Sequence, residues 1–113
     1  MTTFKLETDV HGTEATLRLH GELDVATAPA LRDTVVHLIS QGRTSLAFDC
    51  ADLGFIDSTG LGVLVETRTR LSNRRAFLLV APGVETRRAL EISGLDRHFA
   101  LHDTLDGALS AEV

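Results

Sequence analysis

The sequence predicts an α/β fold in which an N-terminal antiparallel hairpin is followed by strand–helix units, giving a mixed β-sheet with helices packed on it. Two segments in which apolar and polar residues alternate are separated by a turn, His11-Gly12, and this arrangement predicts the hairpin. Residues 76–81 are apolar almost throughout, as in a strand that is covered on both faces. The 113 residues are expected to form a single domain, 1–113, because domains usually hold about 100 to 150 residues.

The first two strands and the first helix follow from alternation and from capping residues. Phe4 and Leu6 begin a weakly patterned strand, and residues 15–20 alternate strictly between apolar and polar side chains. Thr27 is the predicted N-cap of the first helix, and Pro29 occupies its first turn, where a missing N–H costs nothing. The apolar stripe of this helix consists of Leu31, Val35, Leu38 and Ile39.

The remaining elements alternate between strands and helices. Residues 45–51 predict a strand, a loop at 52–57 follows, and a second helix is expected over about 58–74. The inward face of that helix is expected to consist of Leu61, Leu64, Val65 and Leu71. Gly94 is expected to end the third helix in a left-handed conformation. The order closes with the apolar strand at 76–81, the third helix after 82–83, a strand at 99–101 and a final helix at 104–111.

Charge and composition exclude several functional classes. The formal net charge of −5 argues against nucleic-acid binding, and five Phe without Trp or Tyr make a poor base-stacking platform. No apolar run approaches the roughly 20 residues that span a bilayer, and the N-terminus lacks the pattern of a secretory signal. A single cysteine, Cys50, excludes an internal disulfide and agrees with a reducing compartment. We therefore expect a cytoplasmic protein that binds neither nucleic acid nor membrane.

Three loops are expected to meet at one edge of the sheet. Right-handed strand–helix–strand connections return the chain parallel, so the carboxyl ends of the strands share an edge. Residues 21–24, 55–60 and 82–83 follow three successive strands and are expected there. Open α/β sheets usually place function at this edge, where helix N-termini also carry partial positive charge.

The hydroxyls of Ser58 and Thr59 begin the second helix and allow two interpretations. An N-cap would satisfy a free backbone N–H and is worth about 1 kcal/mol. Alternatively, one of these hydroxyls is exposed so that an enzyme can modify it. Gly60 and Gly62 favour an exposed hydroxyl, because glycine inside a helix costs about 1 kcal/mol of stability and suggests that a partner must approach the backbone closely. Crowding of the backbone against another strand would also explain the two glycines. With the predicted face inward, Val63 lies on the outer flank and offers a partner protein a small apolar contact.

The residues of this edge do not form a recognisable enzymatic site. Ser58 lacks the glycine that stands two positions before a nucleophilic serine, and His20, alone at a strand end, is a weak candidate base. No glycine-rich phosphate loop or convergent metal-ligand spacing is present, so no cofactor and no metal are expected. A receiver-type Mg²⁺ site is disfavoured by the N-terminal hairpin and by the position of the only lysine, Lys5. Asp24 and Asp57 are interpreted as acceptors that order their loops, or as polar contacts to a partner.

Three segments carry a family resemblance. They are Leu19-His20-Gly21-Glu22-Leu23-Asp24, Phe55-Ile56-Asp57-Ser58-Thr59-Gly60-Leu61-Gly62-Val63-Leu64 and Ile92-Ser93-Gly94-Leu95. Together they resemble the bacterial anti-sigma factor antagonists, which are small stand-alone STAS domains. The resemblance covers essentially the whole chain, and Asp-Ser-Thr-Gly-Leu-Gly is its specific part. It implies a STAS-like mixed sheet and a non-enzymatic role in transcription regulation by partner switching.

The resemblance also implies a phosphorylation switch at Ser58. In that family the serine after the aspartate is phosphorylated by a partner kinase that is also the anti-sigma factor, and a serine phosphatase reverses the reaction. The unphosphorylated form binds this kinase and frees the sigma factor; the kinase supplies ATP and Mg²⁺. Thr59 is a second candidate acceptor. The expected partner surface consists of Glu22, Asp24, Asp57, Ser58, Thr59, Gly60, Gly62 and Val63.

Other interpretations stay open at this point. A non-phosphorylated STAS scaffold or a lipid-transport accessory module would tolerate the loss of Ser58. A serine-dependent hydrolase would require Ser58 as its nucleophile. A homodimer is also open, because the apolar surface assigned to the partner could serve a second copy of this chain.

Overall fold

Strands and helices alternate along the residues that the structure, a computed structural model, describes, namely 4–71 and 76–102. The strands are β1 (Lys5–His11), β2 (Glu14–Leu23), β3 (Ser45–Ile56), β4 (Phe77–Val80) and β5 (Ala100–His102). The helices are α1 (Ala28–Ser40), α2 (Ser58–Arg70) and α3 (Val84–Ser93), and a 3₁₀ turn at Leu95–His98 precedes β5. The predicted helix at 104–111 lies outside the described residues. Within these ranges, no helix has the length and apolar character needed to cross a membrane.

The sheet has the predicted mixed topology. Its strand order is β1-β2-β3-β4-β5, with β1 antiparallel to β2 and each later pair parallel. An α/β fold with an N-terminal hairpin followed by strand–helix units is therefore confirmed. The parallel strands end on one side of the sheet, and the loops after β2, β3 and β4 leave from this side. We call it the carboxyl edge.

The main core lies between one face of the sheet and the helices. Leu31 of α1, Leu64 of α2 and Leu90 of α3 are fully buried in one cluster with strand residues. The ring of Phe77 stacks on that of Phe48 with 4.8 Å between the ring centroids. All four residues of β4 are buried, as predicted for a strand covered on both faces.

Two strands extend further than their alternation predicts. β2 and β3 end three and five residues later than expected, because Glu22 pairs with Phe55 and Leu23 pairs with Ile56. The register shifts between Gly21 and Glu22, and such an irregularity interrupts the period of two by which a strand is recognised in a sequence. Segments predicted as loops are therefore partly strand, which fixes their backbone at the carboxyl edge.

The helix α2 turns a different face to the core than its apolar residues suggest. Its buried residues are Gly60, Val63, Leu64 and Thr67. Leu64 is inward as predicted, whereas Leu61 and Val65 are only half-buried at the border of the core. Gly60 and Thr67 complete a helical i, i+3, i+4, i+7 stripe without an apolar signal of their own. The Thr67 hydroxyl is satisfied by donating to the Val63 carbonyl oxygen at 2.8 Å.

Candidate functional site at the carboxyl edge

The ends of β2, β3 and β4 bring the three predicted loops together. Asp57 donates its backbone N–H to the carbonyl oxygen of Leu23 at 3.1 Å, which joins the start of α2 to the end of β2. On the other side, a Cβ built on Gly83 would lie 4.0 Å from the carbonyl oxygen of Leu53. The loop after β4 is therefore in contact range of β3, and the loops converge as predicted.

Asp57, rather than Ser58, is the N-cap of α2. Its backbone is extended, at φ −107° and ψ −174°, and its carboxylate accepts a hydrogen bond from the Gly60 N–H at 2.9 Å. Ser58 is the first residue inside the helix and is exposed. Among the described residues its hydroxyl has no hydrogen-bond partner. The interpretation of Ser58 as a cap is therefore wrong, and the helix does not use its hydroxyl.

The two neighbouring hydroxyls differ in access. Ser58 is exposed, whereas Thr59 is half-buried. Ser58 is therefore the more accessible of the two side chains.

Gly60 and Gly62 have different structural roles. A Cβ on Gly60 would lie 2.8 Å from both Ile56 Cγ1 and Leu23 Cγ, closer than carbon atoms pack. Gly60 thus allows α2 to approach β2 and β3, and crowding explains it. Gly62 is exposed, and a Cβ there would have nothing within 4 Å, so packing does not explain it. Of the two glycines, only Gly62 still allows the explanation that it leaves space for a partner protein.

The predicted exposure of Val63 is wrong. The residue is 1% exposed and belongs to the main core together with Leu64. Its placement on the outer flank followed from an inward face that included Leu61 and Val65. Two residues of the actual inward face, Gly60 and Thr67, are not apolar. A face chosen from the apolar residues alone therefore leaves Val63 outside it. Val63 therefore cannot offer a partner an exposed apolar contact.

The turn between β2 and α1 is ordered by its own side chains. The Asp24 carboxylate accepts hydrogen bonds from the backbone N–H groups of Ala26 at 2.9 Å and Thr27 at 3.1 Å. The Thr27 hydroxyl donates to the Glu22 carbonyl oxygen at 2.8 Å and accepts from the Asp24 N–H at 2.9 Å. Thr27 stands at the N-cap position as predicted, but its side chain stabilises the turn and not the helix. Asp24 and Asp57 both order their loops, which is one of the two roles predicted for them.

Three apolar side chains at the carboxyl edge are exposed. Val25, in the turn after β2, is 71% exposed; Phe55, near the end of β3, is 44% exposed; Val84, the first residue of α3, is 73% exposed. No sequence pattern distinguishes them from core residues, because apolar residues near strand ends are usually buried. The sequence places Phe55 at this edge but does not predict that any of the three side chains is exposed.

The other side chains considered for chemistry are engaged or buried. His20 Nε2 lies 3.3 Å from Glu7 Oε1, and His20 Nδ1 lies 3.3 Å from Asp52 Oδ2, so the ring is placed between carboxylates of the two adjacent strands, and its Nε2 makes no hydrogen bond within the described residues. In the described ranges, no group of three His, Cys, Asp or Glu side chains is arranged to hold a metal ion. Burial raises the pKa of the Cys50 thiol to about 12, which keeps it protonated and unreactive at neutral pH.

Sequence comparison places the chain in a known family. The sequence profile of the STAS domain family matches residues 5–108. The anti-sigma-F factor antagonist RsfB of Mycobacterium tuberculosis is 35% identical over 100 residues, which cover 88% of this chain and 82% of RsfB.

Solved structures agree with this placement. The crystal structure of an anti-sigma factor antagonist from Mycobacterium paratuberculosis superposes with a TM-score of 0.87 at 33% identity, covering 96% of this chain and 93% of that chain. The unphosphorylated form of the anti-sigma factor antagonist SpoIIAA gives 0.81 at 27% identity, covering 96% and 95%. The phosphorylated form of SpoIIAA, from Bacillus, gives 0.73 at 27% identity, covering 98% and 100%. This chain therefore belongs to the STAS domain family, with relatives that are named anti-sigma factor antagonists.

Proposed function

We propose that this protein is an anti-sigma factor antagonist that is switched by phosphorylation of Ser58. In the unphosphorylated state it binds an anti-sigma factor, which then releases its sigma factor. The observation that carries the proposal is the exposed Ser58 hydroxyl, which makes no hydrogen bond within the described residues because Asp57 holds the cap position. The names of RsfB and SpoIIAA support the antagonist function, and the existence of a phosphorylated SpoIIAA structure supports the switch.

The anti-sigma factor is also the proposed kinase. It supplies ATP and Mg²⁺, and its own base accepts the Ser58 proton as the γ-phosphoryl group is transferred to the serine oxygen. This chain is then the protein substrate and needs no catalytic residue. A separate serine phosphatase hydrolyses the phosphoserine and restores the binding form. Thr59, being half-buried, is at most a minor acceptor.

The switch acts through local charge. Phosphorylation adds about −1.5 to −2 charges at Ser58. The N-terminus of α2 stabilises this charge by about 0.3–1 kcal/mol, while the neighbouring Asp57 carboxylate repels it. These opposing effects leave the fold nearly unchanged. A partner that has to desolvate a dianion at its interface is affected far more strongly.

The proposed partner surface is smaller than the sequence predicts. Its exposed residues are Ser58 and Gly62, and Glu22 and Thr59 are half-buried. Asp24 and Asp57 border this surface, but their carboxylates also accept hydrogen bonds from their own loops. Gly60 and Val63 are buried and contribute only by holding α2 in place.

The proposal is tested by intact-mass spectrometry with candidate histidine-kinase-like anti-sigma factors from the same genome. The protein is incubated with ATP, Mg²⁺ and each candidate, alongside Ser58→Ala and the control Thr59→Val. We expect one added phosphate on the wild type and on Thr59→Val, and none on Ser58→Ala. We also expect Ser58→Ala to retain the affinity of the unphosphorylated wild type.

Two outcomes would contradict the proposal and favour another function. A stable complex without phosphate transfer would indicate a non-phosphorylated scaffold or an accessory module. Turnover of an ester or phosphate substrate that is lost in Ser58→Ala would indicate a hydrolase.

A further inference from the structure

A cavity of about 250 Å³ opens at the end of the sheet opposite the carboxyl edge. It lies where α1 and α2 end and β3 begins. The described residues that line it are Ile39, Gly42, Arg43, Thr44, Arg70 and Leu71. Cavities for drug-sized ligands measure roughly 300–1,000 Å³, so this one, which we call the arginine cavity, suits a smaller molecule.

The lining of the arginine cavity is positively charged, although the chain as a whole has a net charge of −5. It includes the guanidinium groups of Arg43 and Arg70, and no carboxylate among its described residues. The carboxyl ends of α1 and α2 each contribute about half a negative charge, which leaves the guanidinium groups in excess. Ile39 is half-buried and Leu71 is buried, so the cavity also has apolar walls.

The end of α1 holds the backbone of Arg43. Gly42 has a φ of 98° and donates its N–H to the Ile39 carbonyl oxygen at 3.0 Å. Arg43 donates its N–H to the Leu38 carbonyl oxygen at 3.1 Å, which completes a Schellman motif. Nη1 of Arg43 donates to the Gly12 carbonyl oxygen in the turn between β1 and β2. The guanidinium group is therefore positioned in advance and loses little freedom when it binds a ligand.

One donor of this positioned group is not used. Nε of Arg43 is buried and has no hydrogen-bond acceptor within the described residues. Arg43 also forms no ion pair with a carboxylate in the described part of the chain. Buried donors are nearly always hydrogen-bonded in folded proteins, so an exception needs an explanation such as a bound ion. Its place in a positively charged cavity favours an anion.

Arg70 can turn towards a ligand at little cost. Its Nη2 lies 3.3 Å from Glu66 Oε1, and the other oxygen of Glu66 lies 3.1 Å from Arg32 Nε. The side chains of Arg70 and Glu66 are 45% and 38% exposed, and an ion pair with such exposure contributes little to stability. If Arg70 leaves this pair, Glu66 keeps Arg32 as its partner.

We propose that the arginine cavity binds a small organic anion, whose carboxylate or phosphate group accepts hydrogen bonds from Arg43 Nε and from Arg70. Hydrogen bonds between arginine and such groups are charge-assisted and strong. The apolar part of the anion packs against Ile39 and Leu71. Because α2 has thirteen residues, the cavity is about 18 Å along the helix from Ser58, and the inference does not depend on the proposed function.

The test is an NMR titration of the isotope-labelled protein that follows the Arg43 Nε–H signal. The probes are n-butyl phosphate, butyrate, inorganic phosphate and the neutral butyramide, all at constant ionic strength. We expect n-butyl phosphate or butyrate to bind with a Kd below about 1 mM and to shift the Nε–H signal. The tighter of these two probes identifies the anionic group. Inorganic phosphate and butyramide should each bind at least tenfold more weakly, because each lacks one half of the proposed contacts.

Variants assign the binding to the two arginines. Arg43→Gln should weaken the tighter probe at least tenfold, and Arg70→Gln at least threefold. Arg43→Lys should also lose at least tenfold, since lysine keeps the charge but lacks the Nε donor. Glu66→Gln should strengthen binding about twofold to threefold, because it releases Arg70 and removes a nearby negative charge. Arg88→Gln is the matched control at an exposed arginine of α3 and should change the affinity less than twofold.

The inference is overturned if neither organic anion binds below about 1 mM, or if inorganic phosphate or butyramide binds as tightly as they do. It is also overturned if the Arg43 and Arg70 variants bind like Arg88→Gln. Urea unfolding shows whether each variant keeps its fold. Should the Arg43 variants lose stability with the bond to Gly12, Arg70→Gln and Glu66→Gln decide, since both side chains are more than one-third exposed.

Discussion

The Asp57 carboxylate lies 2.9 Å from the Gly60 backbone nitrogen and accepts its N–H. This hydrogen bond gives the first turn of α2 a cap that does not involve Ser58. The serine next to the cap consequently has a fixed backbone and a hydroxyl that the helix does not use. Asp57 thus stabilises the start of α2, whereas Ser58 leaves its hydroxyl unused by the helix. Each residue can therefore be replaced without removing the role of the other.

Replacement of Asp57 separates the cap from the charge. Asp57→Ala should lower the free energy of unfolding by about 1 kcal/mol, because the Gly60 N–H loses its acceptor. Asp57→Asn should cost less than half of that, since the asparagine oxygen can accept the same hydrogen bond. Urea unfolding of the unphosphorylated proteins measures both. Equal stabilities of the two variants would contradict the assigned cap.

The two glycines of α2 should respond in opposite directions to alanine. Gly60→Ala places a Cβ about where Ile56 and Leu23 already lie, and should destabilise the protein by roughly 1–3 kcal/mol. Gly62→Ala meets open space and should stabilise it by about 0.5–1 kcal/mol, because alanine is the better helix former. Thermal and urea unfolding test the pair. A destabilising Gly62→Ala would show that this glycine has a structural role after all.

The hydroxyl of Thr27 should matter for stability. Thr27→Val keeps the side-chain shape but removes the bond donated to the Glu22 carbonyl oxygen and the bond accepted from the Asp24 N–H. We expect a loss of about 1–2 kcal/mol in the free energy of unfolding. Thr34→Val is the matched control, because its hydroxyl only bonds back to Ala30 within α1, and should change stability by less than about 0.5 kcal/mol. Similar effects at both positions would argue against an ordered turn.

Cys50 should make the fold less stable at high pH. Burial raises the pKa of its thiol to about 12, whereas an unfolded chain releases this proton near pH 8.5, as an estimate for a free thiol. The contribution of the protonated thiol is therefore fully present below about pH 8.5 and is lost between that pH and about 12. Urea unfolding between pH 7 and 10 should show a steeper fall for the wild type than for Cys50→Ala. Parallel curves would contradict the burial effect.

Local signals in the sequence predict the framework of this fold well. The hairpin, the doubly covered β4 and the left-handed Gly94 at the end of α3, with φ 77°, all follow from periodicity or from the steric freedom of glycine. The convergence of three loops at the carboxyl edge follows from the handedness of parallel connections. These features depend on neighbours in sequence, and a single sequence contains them.

The wrong or missing predictions concern residues whose burial is decided by tertiary contacts. Val63 is buried because Gly60 and Thr67, which carry no apolar signal, complete the inward stripe of α2. The exposure of Val25 depends on a turn that Asp24 closes with side-chain hydrogen bonds. Neither contact has a periodic signature in the sequence, so the sequence predicts neither the burial of Val63 nor the exposure of Val25.

The central claim is that phosphate on Ser58 abolishes partner binding by local charge while leaving the fold intact. It is tested most directly by preparing the phosphorylated and unphosphorylated proteins and measuring, for each, the affinity for the anti-sigma factor and the free energy of unfolding. The account predicts at least a hundredfold loss of affinity, equivalent to about 2.7 kcal/mol, with a change in unfolding free energy below about 1 kcal/mol. Equal affinities, or a loss of affinity that accompanies unfolding of the phosphorylated protein, would contradict it.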